Sequence, residues 1–330
     1  MTQLAANASR FRPEASGGFY ESYFLRANHP TRPLAFWLRY TAFRPEGKPE
    51  DACGELWAIW FDGENDRIAA AKQVVPIAQC AFSGEQLDVR IGGSALTPGA
   101  AHGGAASPVH ALQWSLRYVG DEPPLFLLPE AMYERGFPKA KALVGVPNAV
   151  FTGTLTVDGR EILIDGWQGS QNHNWGSRHT DRYAWGQVAG FDNAPAAFLE
   201  CATAQVKIGP LWTPRMTFVV WREAGQEIAL NGLLQAVRAS GSFDFFTWAI
   251  DARGREARIH GRIHAPATAF VGLSYRNPPG GTKTCLNTKL ASAEIIVERR
   301  GQPARTLKTA HRAAFEILTD RADHGVEIAA

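Results

Sequence analysis

Cysteine is scarce. The four in 330 residues, Cys53, Cys80, Cys201 and Cys285, lie far apart. None forms a C-x-x-C pair or sits at zinc-ligand spacing, so neither a disulfide framework nor a structural zinc site has a signature. They read as free, mostly buried thiols of a reducing compartment, the cytoplasm. No run approaches the roughly 18–20 apolar residues that cross a bilayer. Met1–Gly18 carries Asn, Ser, Arg and Glu where a secretory signal would be apolar.

Charge of one sign is missing as well. Net charge is +2 and the longest basic cluster is Arg299–Arg300. That is too short to follow a phosphate backbone, so no nucleic-acid partner is expected. P-loop spacing, a G-x-S-x-G elbow and the alternating helices of a dinucleotide fold are all absent. His260 and His264 lie in strand-like sequence, where a four-residue separation does not bring ligands together beside one metal. No metal and no cofactor are expected.

What is present is period-two alternation. In Gly18–Arg26, Phe19, Glu21, Tyr23 and Leu25 share one face, while Tyr20, Ser22 and Phe24 share the other. In Glu55–Phe61, Trp57, Ile59 and Phe61 oppose Leu56, Ala58 and Trp60. Leu34–Thr41 behaves the same way. Both faces are largely apolar, which calls for a core on one side and a second layer or a filled cavity on the other.

Further strands are expected at Gln86–Ile91, His110–Tyr118, Asn148–Val157 and Glu161–Gly166, the last two joined by the turn Asp158–Gly159. Gly92–Pro108 reads as a surface loop. A short helix is expected from Pro129 to Gly136. The second half predicts strands at Tyr183–Phe191, Ala196–Val206, Arg215–Arg222, Glu227–Leu234 and Phe243–Ile250. Five more follow at Glu256–Ile263, Phe270–Arg276, Thr282–Leu290, Ala293–Arg299 and Ala313–Leu318. So many short strands predict an all-β protein of two antiparallel barrels or sandwiches, 1–170 and 171–330, with the boundary near Gly166–Asn174.

The densest chemistry lies in Asp165–Gln187, which contains Trp167, His173, Trp175, Tyr183 and Trp185 among glycines that let bulky groups converge. His173 and Trp175 share a face if the segment is extended, as do Tyr183, Trp185 and Gln187. Phe198 and Glu200 share a face of the next apolar strand. A lone carboxylate there is costly to bury ionised, and burial would keep it protonated as a general acid. The bland alternatives are core plugs for the tryptophans, a hydrogen-bonded His173, and a solvated or Arg-paired Glu200. Tyr275 sits beside a Pro/Gly turn and could either orient a ligand or help close the second barrel.

Tyr20–His29, Phe36-Trp-Leu-Arg-Tyr40 and Asn172-His-Asn-Trp-Gly176 resemble the hydroxyneurosporene synthase (carotenoid 1,2-hydratase)/AttH-like family, which is allied to tocopherol cyclase and fungal Diels–Alderases. The resemblance runs from Gly17 to Leu318. It implies two lipocalin-like (calycin) barrels side by side and a large apolar isoprenoid, polyene or polyketide-like substrate. It further implies a cofactor-free cyclase or hydratase that protonates an alkene. Glu200 would be the proton donor, with His173 orienting or relaying the proton. Trp175, Tyr183, Trp185 and Phe198 would form the cation-stabilising wall, with Trp167 and Tyr275 as further substrate contacts. The family acid is an aspartate, where this chain has Glu200. A non-catalytic carrier and a pericyclase are the rival readings, and transient contact with a membrane surface would suit such a substrate.

Overall fold

Period-two alternation becomes strand nearly everywhere it occurs. The computed structural model describes residues 6–330. The first sheet contains β1 (Phe19–Asn28), β2 (Leu34–Arg44), β3 (Cys53–Asp62), β4 (Arg67–Pro76), β5 (Cys80–Phe82) and β6 (Val89–Ile91). It continues with β7 (Ser94–Thr97), β8 (Ala100–Ala106), β9 (Ala111–Val119), β10 (Leu125–Phe126), β11 (Ala140–Val157) and β12 (Arg160–Gly176). Its order is β4-β3-β2-β1-β12-β11-β9-β8-β7-β6-β5, with β10 paired to β11. The sheet curls until β3 and β4 meet β8.

The second half runs β13 (Arg182–Phe191), β14 (Ala194–Gln205), the hairpin β15 (Lys207–Ile208) and β16 (Leu211–Trp212), β17 (Met216–Glu223) and β18 (Gln226–Leu230). A short helix, α1 (Leu233–Arg238), precedes β19 (Ser240–Asp244), β20 (Thr247–Arg253), β21 (Ala257–His264), β22 (Val271–Arg276), β23 (Thr282–Arg299) and β24 (Arg305–Thr319). The second sheet has the order β18-β17-β14-β13-β24-β23-β21-β20-β19, with β22 paired to β23. Two near-closed antiparallel barrels result, as the alternation demands.

Several local expectations give way. Gly92–Pro108 is not a loop. It holds β7 and β8, because glycine and alanine allow a close approach that larger residues would block: a Cβ on Gly103 would meet Ser94 and Trp114. The helix expected from Pro129 shrinks to one 3-10 turn, Glu130–Met132. Glu227–Leu234 ends early as strand and its last residues enter α1. Thr282–Leu290 and Ala293–Arg299 are one continuous strand, β23. β12 carries Gln171–Gly176 within the first sheet, so the chain crosses to the second sheet only at residues 177–181, beyond position 170.

Each barrel fills its own interior. Tyr23, Leu25, Phe36, Leu56, Trp60, Phe151 and Trp167 pack inside the first. Leu199, Trp221, Trp248, Ile295 and Phe315 do so in the second. The opposite faces of these strands form a third apolar cluster, in which Phe24, Trp37, Trp57, Ile59 and Phe61 meet Trp185, Leu273, Tyr275 and Leu318. The strands are apolar on both sides because each barrel is the other's second layer.

Truncation in this seam should therefore cost as much as truncation inside a barrel. Ile59→Ala is expected to destabilise by about 2–5 kcal/mol. Leu163→Ala, at a side chain 70 % exposed, should stay within about 0.5 kcal/mol. Urea denaturation of the two variants checks the contrast.

Candidate active site

The seam is not filled throughout. At one end it opens into a cleft of about 170 Å³, walled by Phe24, Trp37 and Arg39 of the first barrel and Tyr183, Trp185 and Tyr275 of the second. Leu127, Leu128 and Met132 cover one side, and Ala202, Met216 and Phe218 form another wall. Beside the mouth, Phe137, Leu233 and Leu234 are exposed, and so are Ile208, Leu211 and Trp212 of the hairpin after Val206.

Strand alternation decides which residues reach the cleft. Tyr23 and Glu21 pair with His173 and Trp175 across β1 and β12, so all four point towards the first barrel's interior. There His173 Nε2 donates to Glu21 Oε1 at 2.8 Å, its Nδ1 lies 2.9 Å from the Ala6 carbonyl oxygen, and its ring stacks on Tyr23. The Glu21 carboxylate also accepts bonds from the Ser9 hydroxyl and the Arg10 and Phe11 amides. Trp175 lies under the Arg10 guanidinium. Both residues thus clasp the N-terminal segment. Burial holds His173 below the ordinary histidine range, although Glu21 opposes the shift. The expected relay from His173 to Glu200 is not formed.

The alternate residues of β12 face the seam. Ser170 Oγ donates to Gln187 Oε1 at 2.6 Å, and Gln187 Nε2 donates to Asn172 Oδ1 and to Glu200 Oε2, each at 2.8 Å. Glu200 Oε1 accepts the Trp185 indole N–H at 2.7 Å. Arg26 reaches this group through Gln187 Oε1 at 3.4 Å. Burial raises the Glu200 pKa to about 8 against these donors. Burial thus favours its protonated form, yet the carboxyl does not line the cleft. Trp185 stands between, and both carboxyl oxygens are engaged, so Glu200 positions the indole rather than meeting a substrate.

Phe198 is fully buried with Leu125, Val144, Ala189 and Val220, and Trp167 belongs to the first barrel's core. Of the expected contacts, Tyr183, Trp185 and Tyr275 face the cleft. The carboxylate that does so is Glu316, paired in register with Trp185 across β24 and β13. Its Oε1 accepts Lys289 Nζ and Asn287 Nδ2, both at 2.8 Å. Its Oε2 lies 3.7 Å from Cys285 Sγ, which also interacts with the Tyr183 and Tyr275 side chains. Burial pushes both phenols well up, so they stay protonated as donors. Burial likewise lowers Lys289, and Glu316 opposes that shift. His179, stacked on Tyr20, is held at a pKa of about 3 by burial and the nearby Arg39 charge, and so remains neutral.

Sequence reasoning missed Glu316 and Arg39, although the signal was available. Each is the lone charge in an apolar stretch read as strand, Ala313–Leu318 and Leu34–Thr41, the argument that singled out Glu200. Among the described residues no group of His, Cys, Asp or Glu is arranged to hold a metal, and no helix is long and apolar enough to cross a membrane.

The Glu200 environment has a consequence for stability. With its pKa raised from 4.5 to about 8, the folded protein retains a proton that the unfolded chain releases. Its contribution is full below pH 4.5 and declines as pH rises through that window. Glu200→Gln has no proton to lose and is expected to flatten the decline. Urea midpoints at pH 5 and pH 8 measure it.

The family-model comparison found no match. Two proteins described only as uncharacterized, from two strains of Mycobacterium tuberculosis, are each 27 % identical over 304 residues, covering 91 % of this chain and 87 % of theirs. Among solved structures, an AttH-like protein of Nitrosomonas europaea aligns with a TM-score of 0.56 at 13 % identity, covering 94 % of both chains. Kievitone hydratase from Nectria haematococca aligns with a TM-score of 0.56 at 11 % identity, covering 96 % of this chain and 93 % of its own. The double-barrel fold is therefore shared with both.

Proposed function

We propose that the protein is a hydratase-type enzyme that adds water to, or eliminates it from, an apolar unsaturated molecule held between the barrels. The observation that carries this reading is Glu316. One oxygen is anchored by Lys289 and Asn287, while the other, beside two phenols, has only the Cys285 thiol at 3.7 Å as a donor among the described residues. A carboxylate fixed in a dry aromatic cleft, with donors at hand for a developing negative charge, suits general base catalysis. A named hydratase among proteins of the same fold agrees with it.

Glu316 Oε2 would take a proton from water as the water oxygen bonds to the β carbon of an alkene conjugated to a carbonyl. The π electrons move to the α carbon and the carbonyl oxygen, which accepts a hydrogen bond from Tyr183 or Tyr275. The proton then returns from Glu316 to the α carbon. Protonation of an isolated alkene fits less well. Glu200, the acid kept neutral, is screened by Trp185, and the Arg39 guanidinium would repel a carbocation in the same cleft. The apolar rim beside the mouth supports transient contact with a membrane surface as a source of substrate.

The test is incubation with a panel of apolar α,β-unsaturated ketones in ¹⁸O-water, with label counted by mass spectrometry only in the β-hydroxyketone product, since the carbonyl oxygen exchanges without catalysis. Incorporation is expected with the wild type and should fall roughly 100-fold or more in Glu316→Gln. Tyr183→Phe, which leaves no buried charge unpaired, should lose activity while keeping its melting temperature. A carrier would bind panel members and incorporate no label in any form of the protein.

A further inference from the structure

Arg39 is a buried charge in the cleft that the proposed chemistry does not use. Its side chain is 6 % exposed, lines the cleft, and lies with its guanidinium 4.4 Å from the Tyr275 ring centroid. Of its three nitrogens, Nη2 donates to Ser22 Oγ at 2.6 Å, whereas among the described residues Nε, buried, has no partner and Nη1 makes no hydrogen bond. Among the described residues no carboxylate comes within ion-pair distance of it. Glu55 is occupied by Arg276, Lys72 and the Trp57 indole, and Glu316 is occupied by Lys289. Burial works against the charge, the fields of Glu55 and Glu316 favour it, and Arg39 stays a cation.

A buried guanidinium with spare N–H groups is expensive unless something completes it. The same interface shows what completion looks like. Lys289 has Glu316, and Arg26, whose Nε is also without a partner, has both terminal nitrogens engaged by Asn28, Gln187 and a backbone carbonyl, whereas Arg39 has only one engaged. Arg39 alone among these cations opens onto empty volume. Among the described residues nothing completes it, and the ammonium groups of Lys139 and Lys141 on the cleft wall favour an anion arriving there, whereas Arg178 is already paired with Asp181.

We infer that the cleft binds a lipophilic acid, with a single carboxylate seated on Arg39 and the apolar body against Trp37, Phe24 and Trp185. Guanidinium and carboxylate match in planar geometry, and the charge-assisted bond gains strength in a water-poor site. A dianion such as a phosphate would leave charge uncompensated beside these aromatic rings. The inference relies on the site of the proposed function for its location and is independent of the water-addition step.

The test uses cis-parinaric acid and its methyl ester, titrated by energy transfer from tryptophan. At pH 8 the wild type is expected to bind the acid roughly 10- to 100-fold more tightly than the ester. The preference should vanish in Arg39→Gln and persist in part in Arg39→Lys. A second measurement needs no variant: in the wild type the preference should fade as pH drops below the ionisation of the acid. Equal affinity for acid and ester at pH 8, or a preference that survives Arg39→Gln, overturns the assignment. Acid preference without ¹⁸O incorporation in any ketone would instead remove the hydratase reading and leave the anion site standing.

Discussion

Burial of each barrel's outer face against the other is the constraint on which the rest of this protein depends. A strand at the seam has no solvent side. Its even and odd residues enter two different buried environments, one inside a barrel and one between barrels. Trp57, Ile59 and Phe61 serve the seam, while Leu56, Ala58 and Trp60 serve the first barrel. Polar residues on seam strands must then find partners in the opposite barrel. They do so in a chain that links Arg26, Asn28, Ser170 and Asn172 of the first sheet with Gln187, Glu200, Lys289 and Arg312 of the second. The network specifies how the barrels register as well as holding them, although the Nε atoms of Arg26 and Arg312 stay unpaired within it.

The same arrangement explains why the cleft lies between the barrels. Trp60, Trp114 and Trp167 occupy the first barrel, and Trp221 and Trp248 the second. The N-terminal segment is clasped to the first barrel by Glu21 and His173. Where the two outer faces diverge, small residues, Ala202 and Ala204 among them, leave room. Low polarity then sorts the titratable groups at that point. The phenols of Tyr183 and Tyr275 stay protonated and His179 stays neutral. Glu316 is compensated by Lys289, while Arg39 stays charged and without a carboxylate. The cleft is thus an aromatic slot with one anchored carboxylate and the buried Arg39 guanidinium on its walls.

Much of this could be read from the chain, and the failures have a common cause. Alternation located most strands, and apolarity on both faces anticipated a second layer. Tyr183, Trp185 and Tyr275 were found as cleft residues, and the raised pKa of Glu200 followed from its apolar strand. His173 and Trp175 were assigned to the site because they are conspicuous in Asn172-His-Asn-Trp-Gly176, yet their asparagine neighbours face the seam. A period of two says that neighbours differ in side. It does not say which side is which when both are buried.

The sequence by itself determined the all-β class, the near absence of helix and the two-sided burial of the central strands. These depend on periodicity and composition, which are local. Only the tertiary structure decided that Glu316 faces the cleft while Trp185 screens Glu200, and that Arg39 is left without a carboxylate. Those outcomes depend on the pairing of β1 with β12 and of β13 with β24, and on the contact of the two barrels. Residues well over a hundred positions apart meet there, and no window of sequence contains them both.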